Sequence, residues 1–154
     1  GLSFGLGCAM AGRLSGSERR AWVMLGDGEI QEGSVWEAAM AAAHHEVGNL
    51  KVILDRNRIQ NDDFCEEQMR MFDIPAKWKA FGWNVKEIDG HDMEEIVEGL
   101  NFLDNTNNGP SILIAHTIKG KGVSYMENNP SFHGAAPNDE QFAQAMVELG
   151  EVAA

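Results

Sequence analysis

Short apolar runs of five or six residues recur along the chain, and each is followed by a polar or glycine-containing turn. Four runs have the length and aliphatic content of buried strands, and they cover residues 21–25, 51–55, 84–88 and 111–116. The last run is apolar enough to be covered on both faces of a sheet. The pattern therefore predicts four strands.

Longer segments with the apolar spacing of helices lie between and around these strands. The predicted helices cover residues 3–14, 34–46, 92–103 and 139–149, with another that begins at Pro75 and a short one within the loop 60–74. Ser34 is predicted to cap the second helix, with Glu37 as its capping-box partner, and Gly48 to follow its end. Asn138 or Asp139 is predicted to cap the last helix.

Strands thus alternate with helices along the whole sequence. This order predicts an α/β fold with a mostly parallel sheet, helices on both faces and right-handed crossovers. No linker or internal repeat divides the chain, so we expect residues 1–154 to form one domain. The chain starts at Gly1, inside a helical pattern of small residues, from which we expect it to be truncated at the N-terminus.

The charge of the chain limits its possible partners. A formal net charge of -12 argues against nucleic-acid binding. An anionic ligand such as a sugar phosphate would need local positive charge, a metal ion or a helix N-terminus. Cys8 and Cys65 alone do not make a disulfide framework, which points to a reducing, cytoplasmic location. No apolar stretch is long enough to span a membrane, and we expect no membrane partner.

Polar oxygen donors follow the first two predicted strands. Asp27 lies in Gly26-Asp27-Gly28, and Asn57 comes thirty residues later. In open parallel sheets, ligands bind at the carboxyl ends of the strands. A carboxylate, an amide oxygen and a nearby backbone carbonyl suit a hard cation such as Mg²⁺. Because Mg²⁺ rarely sits in an all-protein cage, a phosphate-bearing cofactor should complete its coordination.

This spacing resembles the thiamine diphosphate-binding signature, and residues 26–38 resemble the corresponding run of transketolases. The similarity extends along the chain to the segment Ser131–Pro137, and it is greatest to the N-terminal subunit of bacterial split transketolases. It implies a thiamine diphosphate-binding fold, Mg²⁺, and transfer of a two-carbon ketol unit from a ketose phosphate to an aldose phosphate. It further implies a C-terminal subunit or domain with the pyrimidine-binding site, in a homodimer or heterotetramer.

The resemblance also assigns roles to particular residues. It implies that Asp27, Asn57 and the carbonyl of Ile59 bind the metal. The implied cofactor-binding residues are these three together with Gly26, Gly28, Glu29, Lys119 and His133. Two catalytic residues are implied. His133 would contact the diphosphate and help to handle the substrate, and Glu32 would belong to an acidic network between two active sites.

The sequence departs from the family pattern after Asn57. Asn61 stands where the family has an apolar residue that touches the cofactor, and Asp63 stands where it has a turn glycine. A buried amide without a partner costs about 1–3 kcal/mol. Asp, by contrast, is one of the residues that tolerate a glycine-like turn conformation. These two positions put the affinity for the cofactor and the shape of the loop in question.

Two other functions remain open at this point. Deoxyxylulose phosphate synthase shares the Gly-Asp-Gly and His-Gly segments, although the run Met126–Asn129 before His133 favours transketolase. The departures at Asn61 and Asp63 would also suit a non-catalytic thiamine diphosphate-binding subunit. A generic nucleotide-binding domain lacks support, because no Gly-x-Gly-x-x-Gly fingerprint opens a helix after a strand.

Overall fold

The structure, a computed structural model, describes residues 1–150, so residues 151–154 of the predicted domain lie outside the described range. Within that range the strands are β1 (Ala21–Gly26), β2 (Leu50–Arg56), β3 (Asn84–Asp89) and β4 (Ser111–His116). The helices are α1 (Leu2–Leu14), α2 (Gly33–His44), α3 (Cys65–Gln68), α4 (Ile74–Ala80), α5 (Met93–Asn105) and α6 (Asp139–Glu148). No described helix is both long enough and apolar enough to cross a membrane.

The four strands form one parallel sheet in the order β1-β2-β4-β3. The predicted α/β fold with a parallel sheet is confirmed. The crossovers through α2 and α4 move along the sheet in one direction and pack on the same face. The crossover through α5 returns in the other direction on the opposite face. This arrangement gives every crossover the same hand, as the right-handed rule requires.

Side chains alternate between the two faces of the sheet and divide the core. Val52 and Ile112 point into the larger cluster, which contains buried residues of α1, α2 and α4. Leu113 points the other way and packs with Leu103 of α5. The prediction of helices on both faces is therefore confirmed, and β4 is covered on both sides as its apolar sequence indicated.

Helix α1 packs closely on β1 through small residues. Its buried face carries Gly5, Ala9 and Gly12 among larger side chains. A Cβ atom on Gly5 would overlap Cγ2 of Val23 in β1. The helix can therefore lie against the strand only because this position has no side chain.

The predicted ends of α2 were wrong. The helix begins at Gly33 with Glu32 at the N-cap position, and the amide of Val35 donates to the carbonyl of Glu32 at 3.1 Å. Ser34 therefore lies within the first turn. The 3-10 turn at Glu29–Gln31 ends directly before Glu32, so α2 begins at Gly33 and not after Ser34. At the other end, Glu46 adopts the left-handed conformation with φ of 48°.

Gly48 is needed for a different reason from the one predicted. A Cβ atom there would overlap the backbone carbonyl of Asn107, in the loop that leads into β4.

By contrast, the caps of the later helices follow local sequence signals. Asp92 accepts hydrogen bonds from the amides of Glu94 and Glu95 at the start of α5. Asn138 forms a full capping box with Gln141 at the start of α6.

Candidate functional site

A cavity of about 590 Å³ lies at the carboxyl ends of β1 and β2. It is lined by Gly26, Asp27, Gly28, Glu29, Gln31, Glu32, Gly33, Asn57, Ile59, Gln60, Asn61, Met69 and His133. The fold thus brings together all of the predicted site residues except Lys119. This is the edge at which ligands bind in open parallel sheets.

Asp27 is buried at the base of this cavity, with only 3% of its surface exposed. Its Oδ2 accepts a hydrogen bond from the amide of Arg58 at 2.5 Å, and its Oδ1 accepts one from the thiol of Cys65 at 3.3 Å. Burial raises the pKa of the Asp27 carboxyl. Burial and the neighbouring Asp27 carboxylate raise the pKa of the Cys65 thiol to about 12, so this thiol stays protonated.

Asn57 is held through both ends of its side-chain amide. Its Nδ2 donates to Oδ2 of Asp55 at 3.1 Å, and its Oδ1 accepts from the amide of Ile59 at 3.0 Å. The Thr117 hydroxyl donates to the other oxygen of Asp55. Because Asp55 can only accept while it is ionised, the network determines which end of the Asn57 amide is the oxygen.

The chain reverses direction after Asn57. Arg58 adopts the left-handed conformation with φ of 67°. Its carbonyl then accepts from the amide of Cys65 at 2.9 Å, and Ile59 forms an antiparallel bridge with Phe64. Residues 58–65 therefore form a small hairpin that folds back over Asp27. The Ile59 side chain is buried beneath it, with 2% of its surface exposed.

The two departures from the family pattern lie in this hairpin. Asp63 does not have positive φ, and its side chain accepts from the amide of Phe64 at 2.8 Å. Glycine is therefore not required at this position. Asn61 is exposed and donates to Asp62 at 3.2 Å, so its amide carries no cost of unpaired burial in this chain.

The cavity has unused polar groups. Oε1 of Gln60 is buried and has no hydrogen-bond partner among the described residues. A Cβ atom on Gly28 would come within 2.7 Å of Cβ of Gln60, so this glycine is needed for its packing against Gln60. The carbonyl of Ile59 also accepts no hydrogen bond within residues 1–150. These oxygens, together with Asp27 and Asn57, suit a hard cation.

The lining of the cavity is acidic. Asp27, Glu29 and Glu32 contribute three carboxyl groups, and none of the described residues that line it is a lysine or arginine. No group of three or more His, Cys, Asp or Glu within residues 1–150 forms a metal centre by itself. A cation held here would therefore depend on amide and backbone oxygens in addition to Asp27.

His133 reaches the cavity from the long loop between β4 and α6. Its amide donates to the carbonyl of Pro130 at 2.9 Å, and the rings of Tyr125 and Phe132 pack with their centroids 5.3 Å apart. Lys119 lies at the start of the same loop, where its carbonyl accepts from the amide of Asn128 at 3.0 Å. The loop thus carries His133 to the cavity and leaves Lys119 outside the lining.

The lining residues Gln31, Gly33, Gln60 and Met69 were not predicted as site residues, and neither were Asp55 and Cys65, which bond to Asn57 and Asp27. Asp55 ends a strand as a polar residue, and that signal was present but unused. Gln60 lies between two predicted site positions, and only its buried, unpaired oxygen identifies it. Cys65 gave no signal, because its contact with Asp27 depends on the hairpin.

A larger open cleft of about 920 Å³ at the amino ends of β1 and β2 is a weaker candidate. Two of its three arginines already have partners. Arg13 donates to the carbonyls of His45 and Glu46 at the end of α2, and Arg20 pairs with Asp104. A cation at a helix C-terminus is favourable in its own right, so no ligand is needed to explain the position of Arg13.

Comparisons with known proteins identify the family to which the chain is related. The family described as "Transketolase, thiamine diphosphate binding domain" matches residues 13–153. The chain is 44% identical over 151 residues to a subunit of apulose-4-phosphate transketolase from Phocaeicola vulgatus, covering 98% of this chain and 54% of that protein. It is 38% identical to the subunit of the same name from Actinobacillus succinogenes, covering 97% of this chain and 54% of that protein. The chain thus spans about half the length of these relatives.

The fold is also that of a solved structure. Transketolase from Campylobacter jejuni superposes with a TM-score of 0.91 at 28% identity, covering 97% of this chain and 24% of that chain. The parallel sheet therefore occurs in a known structural context. The chain belongs to the transketolase family, as a member of its thiamine diphosphate-binding domain.

Proposed function

We propose that this chain forms the diphosphate- and magnesium-binding part of a transketolase active site. The reaction would transfer a two-carbon ketol unit from a ketose phosphate to an aldose phosphate. The observation that carries the proposal is the cavity in which Asp27, Asn57, Ile59 and His133 meet at the sheet edge. The family membership supports the same cofactor independently.

The acidic lining supports a role for Mg²⁺. A diphosphate placed beside Asp27, Glu29 and Glu32 would be repelled unless a cation lay between them. Asp27, Asn57 and the carbonyl of Ile59 would hold that cation. They supply oxygen ligands on one side and leave the other side to phosphate oxygens and water, which is the arrangement that Mg²⁺ favours.

The other residues of the chain would bind and orient. Gly28 would lie beside the diphosphate, and the first amides of α2, which begins at Gly33, lie beside the cavity. When bound, thiamine diphosphate supplies an electron sink for breaking and remaking the carbon–carbon bond next to the ketose carbonyl. His133 would contact the diphosphate and the substrate, and Glu32 would take part in an acidic network at a subunit interface.

A second subunit or domain would complete the site. The relatives from P. vulgatus and A. succinogenes are each named as one subunit of a transketolase, which supports a partner subunit. We propose that this partner holds the pyrimidine ring of the cofactor, in a homodimer or heterotetramer that works in the cytoplasm. Sugar phosphates are the proposed substrates.

The proposal can be tested with the full-length protein and its partner subunit. Ketol transfer would be measured with ribose 5-phosphate as acceptor and with xylulose 5-phosphate or apulose 4-phosphate as donor, the latter because two relatives are named for it. We expect transfer that requires both thiamine diphosphate and Mg²⁺ and that is abolished by Asp27→Ala. Glu98→Ala, which removes an exposed carboxylate on α5, is the matched control.

Two results would contradict the proposal in different ways. Tight, Mg²⁺-dependent cofactor binding without ketol transfer would favour another thiamine enzyme, such as one of the deoxyxylulose phosphate synthase type, or a non-catalytic subunit. The absence of cofactor binding would contradict the proposed cofactor site itself. In that case Asn61→Ile would show whether the departure at this position is responsible, because it restores an apolar contact to the cavity.

A further inference from the structure

We propose that Cys65 is a positioning residue for Asp27, and that its thiol holds the carboxylate in the orientation that binds the metal. This inference rests on the proposed function, because it assigns a role to Cys65 only if Asp27 is a metal ligand. Cys65 is buried, with 4% of its surface exposed, and it donates to Oδ1 of Asp27 at 3.3 Å.

The two oxygens of Asp27 have different anchors. The amide of Arg58 donates to Oδ2, and the thiol of Cys65 donates to Oδ1. Rotation of an aspartate about its last side-chain bond is soft, so one anchor leaves the plane of the carboxylate poorly defined. Two anchors on opposite oxygens define that plane. Each oxygen retains acceptor capacity, because a carboxylate has about four acceptor sites.

The two residues that anchor Asp27 lie opposite each other in the hairpin. The amide of Cys65 donates to the carbonyl of Arg58 at 2.9 Å, so these two residues face each other across the hairpin. The side chain of Gln31 donates to the carbonyl of Met69 at 3.0 Å and joins the segment after Asp27 to the end of α3. The thiol is therefore held at a fixed place relative to the strand that carries Asp27.

A packing role and a hydrogen-bonding role for Cys65 predict opposite orders of variants. If the side chain only fills space, Val should replace Cys well and Ser should replace it poorly. If the thiol acts as a donor to Asp27, Ser should replace Cys well, because a hydroxyl is a stronger donor of similar size. Val and Ala should then both fail, since neither can donate.

The test measures the affinity for Mg²⁺ by calorimetry, with thiamine diphosphate present, in the full-length protein with its partner subunit. Variants of residues that orient metal ligands commonly lose about 10-fold or more in metal affinity. We expect Cys65→Val and Cys65→Ala to weaken Mg²⁺ binding about tenfold. We expect Cys65→Ser to bind Mg²⁺ within about twofold of the unsubstituted protein, which is rescue by a conservative donor.

Stability is followed in parallel by urea unfolding. Val47→Ala is the control. Val47 is fully buried just before the amino end of β2, so its truncation should lower stability without touching Asp27. It should leave the affinity for Mg²⁺ unchanged. Normal Mg²⁺ affinity in Cys65→Val, with weaker binding in Cys65→Ser, would overturn the inference and leave Cys65 as a packing residue. If the unsubstituted protein shows no Mg²⁺-dependent binding, the proposed function fails and this inference fails with it.

Discussion

Asp55 affects the cavity without lining it. Both of its carboxylate oxygens are occupied, one by the amide nitrogen of Asn57 and the other by the Thr117 hydroxyl. The nitrogen end of Asn57 is therefore held away from the position that a cation would need. At the scale of single residues, a neighbour with no ligand contact decides which atom the site presents.

This arrangement predicts that an added negative charge will be harmful. Asn57→Asp places a carboxylate against that of Asp55, across a contact that is now 3.1 Å. We expect Mg²⁺-dependent affinity for thiamine diphosphate to fall about tenfold, although the change adds a better ligand type. The double variant Asp55→Asn/Asn57→Asp restores an amide–carboxylate pair and should recover most of the loss. Purely additive effects in this double-mutant cycle would contradict the network.

Lys51 predicts a pH dependence of stability. Its side chain is fully buried and donates to the carbonyl of Thr106, and burial, followed by repulsion from Arg20, lowers the pKa of its amine. The unfolded chain keeps this proton up to about pH 10.4, whereas the folded chain releases it earlier. Between the two pKa values the unfolded state binds more protons, so this group makes the folded state more stable as pH rises.

The prediction is tested with Lys51→Met. The free energy of unfolding is measured in urea at about pH 7 and about pH 10. Relative to Lys51→Met, we expect the unsubstituted protein to be more stable at the higher pH than at the lower one. Lys86→Met, on the half-exposed side of β3, controls for the loss of one positive charge. Parallel pH curves for the unsubstituted protein and Lys51→Met would show that Lys51 makes no such contribution.

At the scale of elements, α1 illustrates how two glycines in one helix have opposite effects. Gly5 faces β1, where a Cβ atom would overlap Val23, whereas nothing lies within 4 Å of a Cβ atom on Gly7. We expect Gly5→Ala to destabilise the fold by about 1–3 kcal/mol through overpacking. Gly7→Ala should stabilise it by about 0.5–1 kcal/mol, because alanine is the better helix former. Urea unfolding of both variants measures the difference, and equal effects would mean that α1 does not pack tightly on β1.

At the scale of the whole molecule, the negative charge and the acidic cavity act together. The net charge is -12, and the described residues around the cavity include three carboxylates and no lysine or arginine. An anionic cofactor is therefore repelled both by the net charge of this chain and by the site. Under the proposed function, a divalent cation would make the cavity complementary to a diphosphate.

Thiamine diphosphate and Mg²⁺ should consequently stabilise the protein only in combination. At a cofactor concentration of about 100 times the dissociation constant, the gain should be about 2.7 kcal/mol. A thermal-unfolding series with each ligand alone and with both measures this coupling, and Asp27→Ala should abolish it. Comparable stabilisation by thiamine diphosphate in the presence of a chelator would contradict the role assigned to the cation.

Local patterns were enough to predict the strands, and together with the resemblance to transketolases they indicated the candidate site. The four apolar runs form four strands in the structure. Short aliphatic stretches bounded by turns are typical of buried strands. The cap at Asn138, predicted as Asn138 or Asp139, could be identified from the sequence, since a capping side chain bonds to amides only two or three residues away. The spacing of Asp27 and Asn57 around one helix also identified the cavity, because consecutive parallel strands end at the same edge.

Contacts between distant segments decided the rest. Three features each join residues that are far apart in sequence. They are the insertion of β4 between β2 and β3, the close approach of Gly48 to Asn107, and the hydrogen bond from Cys65 to Asp27. No local pattern encodes such pairs, because they form only when helices and hairpins pack on the completed sheet. The exclusion of Lys119 from the cavity has the same origin, since the path of a long loop depends on the surface it covers.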